Sequence, residues 1–91
     1  MNDRQALGEE FGNRCRNARR ELIDMYPENW RDVLAPWLVL LARVIEATGV
    51  TILEASATML IEMKNRGVLT RVDQWMIFAA TWELYHQQEQ A

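Results

Sequence analysis

The single cysteine and the single histidine of this 91-residue chain are the residues best suited to nucleophilic catalysis. Such catalysis needs a nucleophile and a base within hydrogen-bonding reach, and a third group that orients the base. Cys15 lies among apolar residues spaced for one helical face, where a thiol usually serves as a small hydrophobic side chain. A Cys15–His86 pair requires the first and last helices to pack antiparallel. We expect neither residue to be catalytic.

The remaining polar residues do not follow the spacing of a metal or phosphate site. The di-iron arrangement of helical bundles needs a pair of Glu-x-x-His motifs, and a chain with one histidine has no such pair. Glu54, Thr58 and Glu62 share a helical face, a pattern typical of a solvated surface. Gly8 and Gly12 lie inside a helix and do not form a phosphate-binding loop. We therefore expect no metal and no cofactor.

A cluster of arginines is the most unusual polar feature. Residues 13 to 20 contain four arginines and no acidic residue. On a helix, Arg16, Arg19 and Arg20 form one flank, the arginine flank, while Arg14 points to the other side. Guanidinium groups bind carboxylates and phosphates, so this flank predicts contact with an acidic partner or a nucleic acid. The alternative is ion pairing within the chain, to acidic residues nearby in the sequence: Glu9, Glu10, Glu21 and Asp24.

Aromatic residues form a ridge along the last predicted helix. Trp75, Phe78, Trp82 and Tyr85 are spaced by three, four and three residues, which places them on one helical face. Apolar residues occupy most of the remaining circumference, so this aromatic ridge is either core or an interface. Because aromatic residues are enriched at association surfaces, we predict that the ridge anchors a protein partner or a second copy. The arginine flank would add charge complementarity.

Apolar periodicity and helix caps predict the elements that carry these groups. Thr51 and Glu54 form a capping box, and Thr70 and Asp73 repeat the pattern, so a helix begins after each threonine. Asn29 is the expected cap of the second helix, and the glycines at positions 49 and 67 end the second and third. The predicted helices span approximately 3–26, 29–48, 52–66 and 71–88, within a single domain of 1–91.

The second helix is predicted to be the central one. Between Trp37 and Ile45 it has almost no polar face, and a helix that is apolar nearly all round packs on several sides. Pro36 removes a hydrogen bond to the Asp32 carbonyl, so we expect a kink or a short leading turn there. The predicted fold is all-α, a compact four-helix bundle-like single domain with short connections.

The composition is that of one small globular domain: 49% of the residues are hydrophobic and 25% are charged. The net charge of -3 argues against attraction of the whole molecule to nucleic acid. The N-terminal residues are polar and the longest apolar run, Trp37 to Ala42, is short, so we expect no signal peptide and no membrane span. A lone cysteine favours a reducing compartment, here the cytoplasm, and the excess of arginine over lysine favours a bacterial or phage source.

These features together predict a non-enzymatic helical protein that binds another protein and self-associates as a homodimer. It would act as an adaptor, an assembly factor, or an inhibitor or regulator of its partner. One alternative is a small all-α enzyme that binds an anionic substrate between helices, with Arg14, Arg43 and Glu46 as candidate groups. A buried Arg43–Glu46 salt bridge is the simpler interpretation of those two residues. A second alternative is nucleic-acid binding through the arginine flank.

Overall fold

The structure is a computed structural model that describes the backbone of residues 3–90 and the side chains of residues 9–87. It contains four helices: α1 (Asp3–Met25), α2 (Trp30–Thr48), α3 (Ile52–Asn65) and α4 (Arg71–Gln90). Residues 3–90 contain no strand, and the connections are three to five residues long, so the predicted all-α, four-helix bundle-like fold is confirmed. Each helix boundary lies within two residues of the predicted position.

Threonine caps begin α3 and α4, as the sequence indicates. Thr51 Oγ1 accepts a hydrogen bond from the Glu54 amide at 3.2 Å. Thr70 Oγ1 accepts from the Asp73 amide at 3.0 Å, and the Thr70 amide donates to Asp73 Oδ2 at 3.4 Å, which closes a reciprocal capping box. Asn29, the expected cap of α2, makes no side-chain cap bond. Its φ of -133° and ψ of 21° lie outside the extended region from which a capping side chain reaches the first turn.

Glycines end α2 and α3 as predicted. Gly49 and Gly67 have φ values of 70° and 72°, in the left-handed region that side chains with a Cβ avoid. The Gly49 amide donates to the Ile45 carbonyl at 2.8 Å, which satisfies one of the last carbonyls of α2.

Pro36 lies inside α2, which runs unbroken from Trp30 to Thr48. The short leading turn that we considered before Pro36 is therefore not found. Pro36 and Asp32 are both exposed. The carbonyl that loses its partner thus lies on the solvent side of the helix, where water can replace the missing hydrogen bond.

The central helix is α4, and the prediction that α2 takes this place is wrong. Each of the other three helices makes its largest contact with α4, and six consecutive residues from Met76 to Thr81 are buried, more than one full turn. In α2 only Leu34 and Leu41 are buried. Two consecutive alanines, Ala79 and Ala80, are completely buried and allow neighbouring helices to approach α4 closely.

α1 and α4 form the largest contact and run antiparallel. Residues from the first half of α1 share a pocket with the second half of α4, and residues from the second half of α1 share another with the start of α4. Phe11 packs edge-to-face on Phe78 with ring centroids 5.4 Å apart. The Arg19 guanidinium pairs with Glu83 and lies 4.9 Å from the centre of the Trp30 ring, which joins α1 to both α4 and α2.

A buried pair of hydroxyl groups connects α3 to α4. Ser56 Oγ and Thr81 Oγ1 lie 2.5 Å apart, and each is also within hydrogen-bonding distance of the carbonyl four residues earlier, Ile52 or Ile77. The two hydroxyl groups have only two protons for these three contacts. One hydroxyl therefore donates to its own carbonyl and accepts a hydrogen bond from the other hydroxyl. The pair is satisfied internally and fixes the position of α3 along α4.

Candidate functional site

The structure divides the predicted aromatic ridge between core and surface. Phe78 is only 7% exposed and belongs to the core. Trp75 and Trp82 are partly buried and pack against that core. Tyr85, at 48% exposure, is the member of the ridge with the most accessible side chain. The four residues therefore do not form one uniform surface, and Tyr85 is the one best placed to contact another molecule.

A pocket of about 560 Å³ opens between α1, α4 and the first turn of α3. Its apolar wall consists of Phe11, Leu53, Trp82 and Tyr85, and Cys15 lies within it, so we call it the Cys15 pocket. The volume is in the range that encloses small organic ligands. The Trp82 and His86 rings lie 4.1 Å apart between centroids with their planes inclined at 52°, so two tilted aromatic rings line the α4 side.

Cys15 and His86 both line this pocket. The antiparallel packing of α1 and α4, which a Cys15–His86 pair requires, is therefore present. Cys15 is buried, and burial raises the pKa of its thiol to about 12 because the thiolate would lose its hydration. The thiol is therefore protonated at neutral pH, and a protonated thiol is a poor nucleophile. Thr81, also on the pocket wall, has its hydroxyl engaged with Ser56 or Ile77.

A second apolar cavity, of about 370 Å³, lies on the other side of Leu53 and Tyr85. Its wall includes Ile45, Val50 and Ile52, from the end of α2 and the start of α3. Leu53 and Tyr85 line both cavities and are each about half exposed. The sequence did not point to this arrangement, because the residues come from four separate segments of the chain.

The arginine flank is divided as well. Arg19 is used inside the domain, paired with Glu83 and stacked near Trp30. Arg16 and Arg20 are exposed, and Arg16 Nη2 donates to Asn13 Oδ1 at 3.1 Å. The predicted pairing with a nearby acidic residue is thus realised for Arg14, which lies on the other side of α1, whereas Arg19 pairs with the distant Glu83. Arg14 Nη2 is 3.2 Å from Glu10 Oε1.

The groups proposed for an anion-binding enzyme do not come together around a cavity. Arg14 lines a small, mixed polar pocket of about 240 Å³ with Trp75 and Phe78. Arg43 and Glu46 are both exposed on α2, and no salt bridge joins them within residues 9–87. The expected buried Arg43–Glu46 salt bridge is therefore wrong, because α2 lies at the edge of the bundle with these residues facing solvent.

The outward side of α2 is apolar and exposed over its middle turns. Val39 and Leu40 are 49% and 45% exposed. The neighbouring Ala35, Pro36 and Ala42 are also exposed, and we call these five residues the α2 outer face. Pro36 and Val39 lie opposite the buried Leu34 and Leu41, and the other three residues lie on the flanks. A solvent-facing helix surface is normally polar, so this face is the most unusual exposed surface of α2.

The described residues contain no cluster suited to a metal ion. No group of three or more histidine, cysteine, aspartate and glutamate side chains comes together there. Glu83 and His86 have the spacing of a single Glu-x-x-His motif, but Glu83 is paired with Arg19.

Within residues 3–90 no single helix is long and apolar enough to cross a membrane. α2 and α3 pass that test only when taken together, across a bend of 109°. No family model, no curated protein and no solved structure matches this chain. Its function must therefore be inferred from the residues themselves.

Proposed function

We propose that this chain is a non-enzymatic helical interaction module that docks on another protein and self-associates through the α2 outer face. The exposure of Val39 and Leu40 in the middle of that face carries the proposal. Water contact with these side chains is unfavourable, and covering them with a second apolar surface removes that cost. Half of each side chain is already covered, so covering the rest contributes only a moderate free energy to association. We therefore expect a dimer whose population depends on protein concentration.

Charge on either side of this face favours a second copy of the chain as its occupant. Asp32, Pro36, Val39 and Arg43 are spaced by four, three and four residues and form one stripe along α2. All four are exposed. When two α2 helices pack antiparallel, one register sets Asp32 of each copy against Arg43 of the other and Pro36 against Val39.

Two-fold symmetry repeats each of these contacts, as an interface between identical copies requires. The two ion pairs are exposed and contribute little to affinity, so they fix the register while the apolar residues between them supply the attraction. An unrelated partner would need the same alternation of charge by coincidence. The arrangement therefore supports self-association in preference to an unrelated occupant of this face.

The proposal keeps Tyr85, Arg16 and Arg20 as contacts to a different protein, because these members of the predicted set are exposed. Arginine and tyrosine are both common among residues that dominate interface energetics. We further propose a cytoplasmic location, which the lone cysteine, held as a buried thiol, supports.

The first experiment is light scattering after size exclusion over a wide range of protein concentration. The proposal predicts a mass that rises from 10.7 kDa towards twice that value as concentration increases. Val39→Lys places a charge in the centre of the α2 outer face and should hold the protein as a monomer. Lysine has a higher helix propensity than valine, so the change does not weaken α2 itself.

Ile61→Lys is the matched control. Ile61 is 58% exposed on α3, away from α2, so this variant loses as much exposed apolar surface and gains the same charge. It should dimerise like the unmodified protein, and circular dichroism should show unchanged helicity in both variants. A monomer at every concentration, or equal effects of the two substitutions, would refute self-association through α2.

A further inference from the structure

The proposed function gives no role to the Cys15 pocket. It is a half-open pocket of about 560 Å³ with an aromatic wall of Phe11, Trp82 and Tyr85, and none of its described lining residues belongs to α2. A pocket of this size and lining is the usual form of a small-molecule site.

The charges around the pocket indicate the class of ligand. Glu9 is the one carboxylate among the described lining residues, and none of them is a lysine or an arginine. The Cys15 thiol is neutral at physiological pH, and the Thr81 hydroxyl is bound to neighbouring groups. Apart from the His86 imidazole, which lies against the Trp82 ring, the remaining electrostatic features are a negative carboxylate and the electron-rich faces of aromatic rings, and both attract cations.

We propose that the Cys15 pocket binds a small organic cation, an amine or ammonium compound with an apolar aromatic or alkyl body. The apolar body lies against Phe11, Leu53 and Trp82, and the cationic group lies at the exposed end near Glu9 and Tyr85. Glu9 and Tyr85 are exposed while Cys15 is buried, so the charged end of the ligand keeps contact with water. This inference does not depend on self-association through α2.

Gly12 provides a way to close the pocket without damaging the fold. It lines the pocket, and a Cβ built at this position meets no other heavy atom within 4 Å. Close approach of a neighbouring helix is therefore not the reason for this glycine. A leucine here would extend into the open space, and it would also raise the helix propensity of α1.

The test uses three probes that share one apolar body: 4-phenylbutylamine, 4-phenylbutanol and 4-phenylbutanoate. Binding is followed by the NMR signal of the Trp82 indole N–H, with the Trp37 indole on α2 as an internal control. We expect the amine to bind about tenfold more tightly than the alcohol, and the carboxylate to bind most weakly. Equal affinity for amine and alcohol, or tightest binding of the carboxylate, would overturn the proposal.

Two variants and a control assign the roles of the residues. Glu9→Gln should reduce the advantage of the amine over the alcohol to the part that the aromatic rings supply, and it should leave the affinity for the alcohol unchanged. Gly12→Leu should abolish binding of both probes while the protein stays folded. Glu10→Gln changes a neighbouring carboxylate that does not line the pocket and should leave all three affinities unchanged. Unchanged binding by the Gly12→Leu variant would show that the probes bind elsewhere and would refute the site.

Discussion

α2 and α4 are similar as sequences and opposite in the folded molecule. Both are apolar around most of their circumference. α4 is covered on every side over the six residues from Met76 to Thr81, whereas α2 buries only Leu34 and Leu41 and leaves Val39 and Leu40 in solvent. The difference shows that an all-round apolar helix is not necessarily a central one. Where the bundle has too few neighbours to cover two such helices, one of them retains an exposed apolar face.

Side-chain size offers a reason why α4 takes the centre. At its middle, α4 has two consecutive alanines that are completely buried, so several helices can approach its backbone. The middle of α2 has bulky residues in every direction, from Trp37 to Leu41. A helix with large side chains all round holds its neighbours further away and is harder to surround in a domain of 91 residues.

Truncating one apolar residue on each helix should give the largest difference in stability between α4 and α2. Ile77→Ala removes a completely buried side chain from α4 and should lower the free energy of unfolding by about 2–4 kcal/mol. Val39→Ala on the α2 outer face should change it by less than about 0.5 kcal/mol. Urea denaturation of both variants at low protein concentration measures the difference. Equal losses would mean that α2 is as well covered as α4.

Removing the buried contact between the Ser56 and Thr81 hydroxyl groups tests how much it stabilises the packing of α3 on α4. Thr81→Val keeps the shape of the side chain and removes its hydroxyl, so Ser56 loses a buried hydrogen-bond partner. Ser56 can still donate to the Ile52 carbonyl, so the expected loss is about 1–2 kcal/mol. In a double-mutant cycle with Ser56→Ala, the two losses should be less than additive. Full additivity would mean that the two hydroxyls do not interact.

The pH dependence of stability should report the burial of Cys15 between α1 and α4. Burial raises the pKa of the thiol from 9.0 to about 12, so the folded state keeps the thiol protonated where the unfolded chain would release the proton. This contribution is fully present below pH 9 and is lost as the pH rises towards 12. At about pH 10 the loss relative to Cys15→Ala should be on the order of 1 kcal/mol.

The measurement is the difference in free energy of unfolding between the unmodified protein and Cys15→Ala, taken at several alkaline pH values. The alanine variant has no thiol to ionise, so it corrects for the titration of lysine and tyrosine side chains. A difference that stays constant with pH would contradict the burial of the thiol.

The smallest expected effect concerns the register of the proposed α2 pair. Asp32→Arg places like charges opposite each other and should weaken dimerisation by about twofold to fivefold. Adding Arg43→Asp restores opposite charges and should recover the original affinity. Sedimentation equilibrium measures the dimer dissociation constants. Failure of the double variant to recover affinity, with Val39→Lys still monomeric, would refute the register and leave self-association intact.

Local features were predictable because they depend on residues close together in the sequence. The caps at Thr51 and Thr70 join groups three residues apart, and Gly49 ends α2 through its own φ angle. The exception is Asn29, whose backbone conformation turns its side chain away from the first turn of α2.

The candidate sites were predictable only in part. The sequence singled out Trp82 and Tyr85, which line the Cys15 pocket, but it did not connect them with Glu9 or Leu53. It gave Arg19 the same role as Arg16, although the partner of Arg19 is Glu83, 64 residues away. Long-range pairs of this kind depend on the relative position of whole helices, and nothing in the spacing of the arginines reveals it.

The sequence by itself determined the number of helices, their ends and their apolar faces. Hydrogen bonds, caps and helical periodicity act over a few residues, so the local order of side chains is sufficient to specify them. Only the tertiary structure decided that α4 is surrounded and that α2 exposes Val39 and Leu40. Apolar faces attract one another without direction, so which helix each face meets depends on side-chain size and on the whole set of contacts.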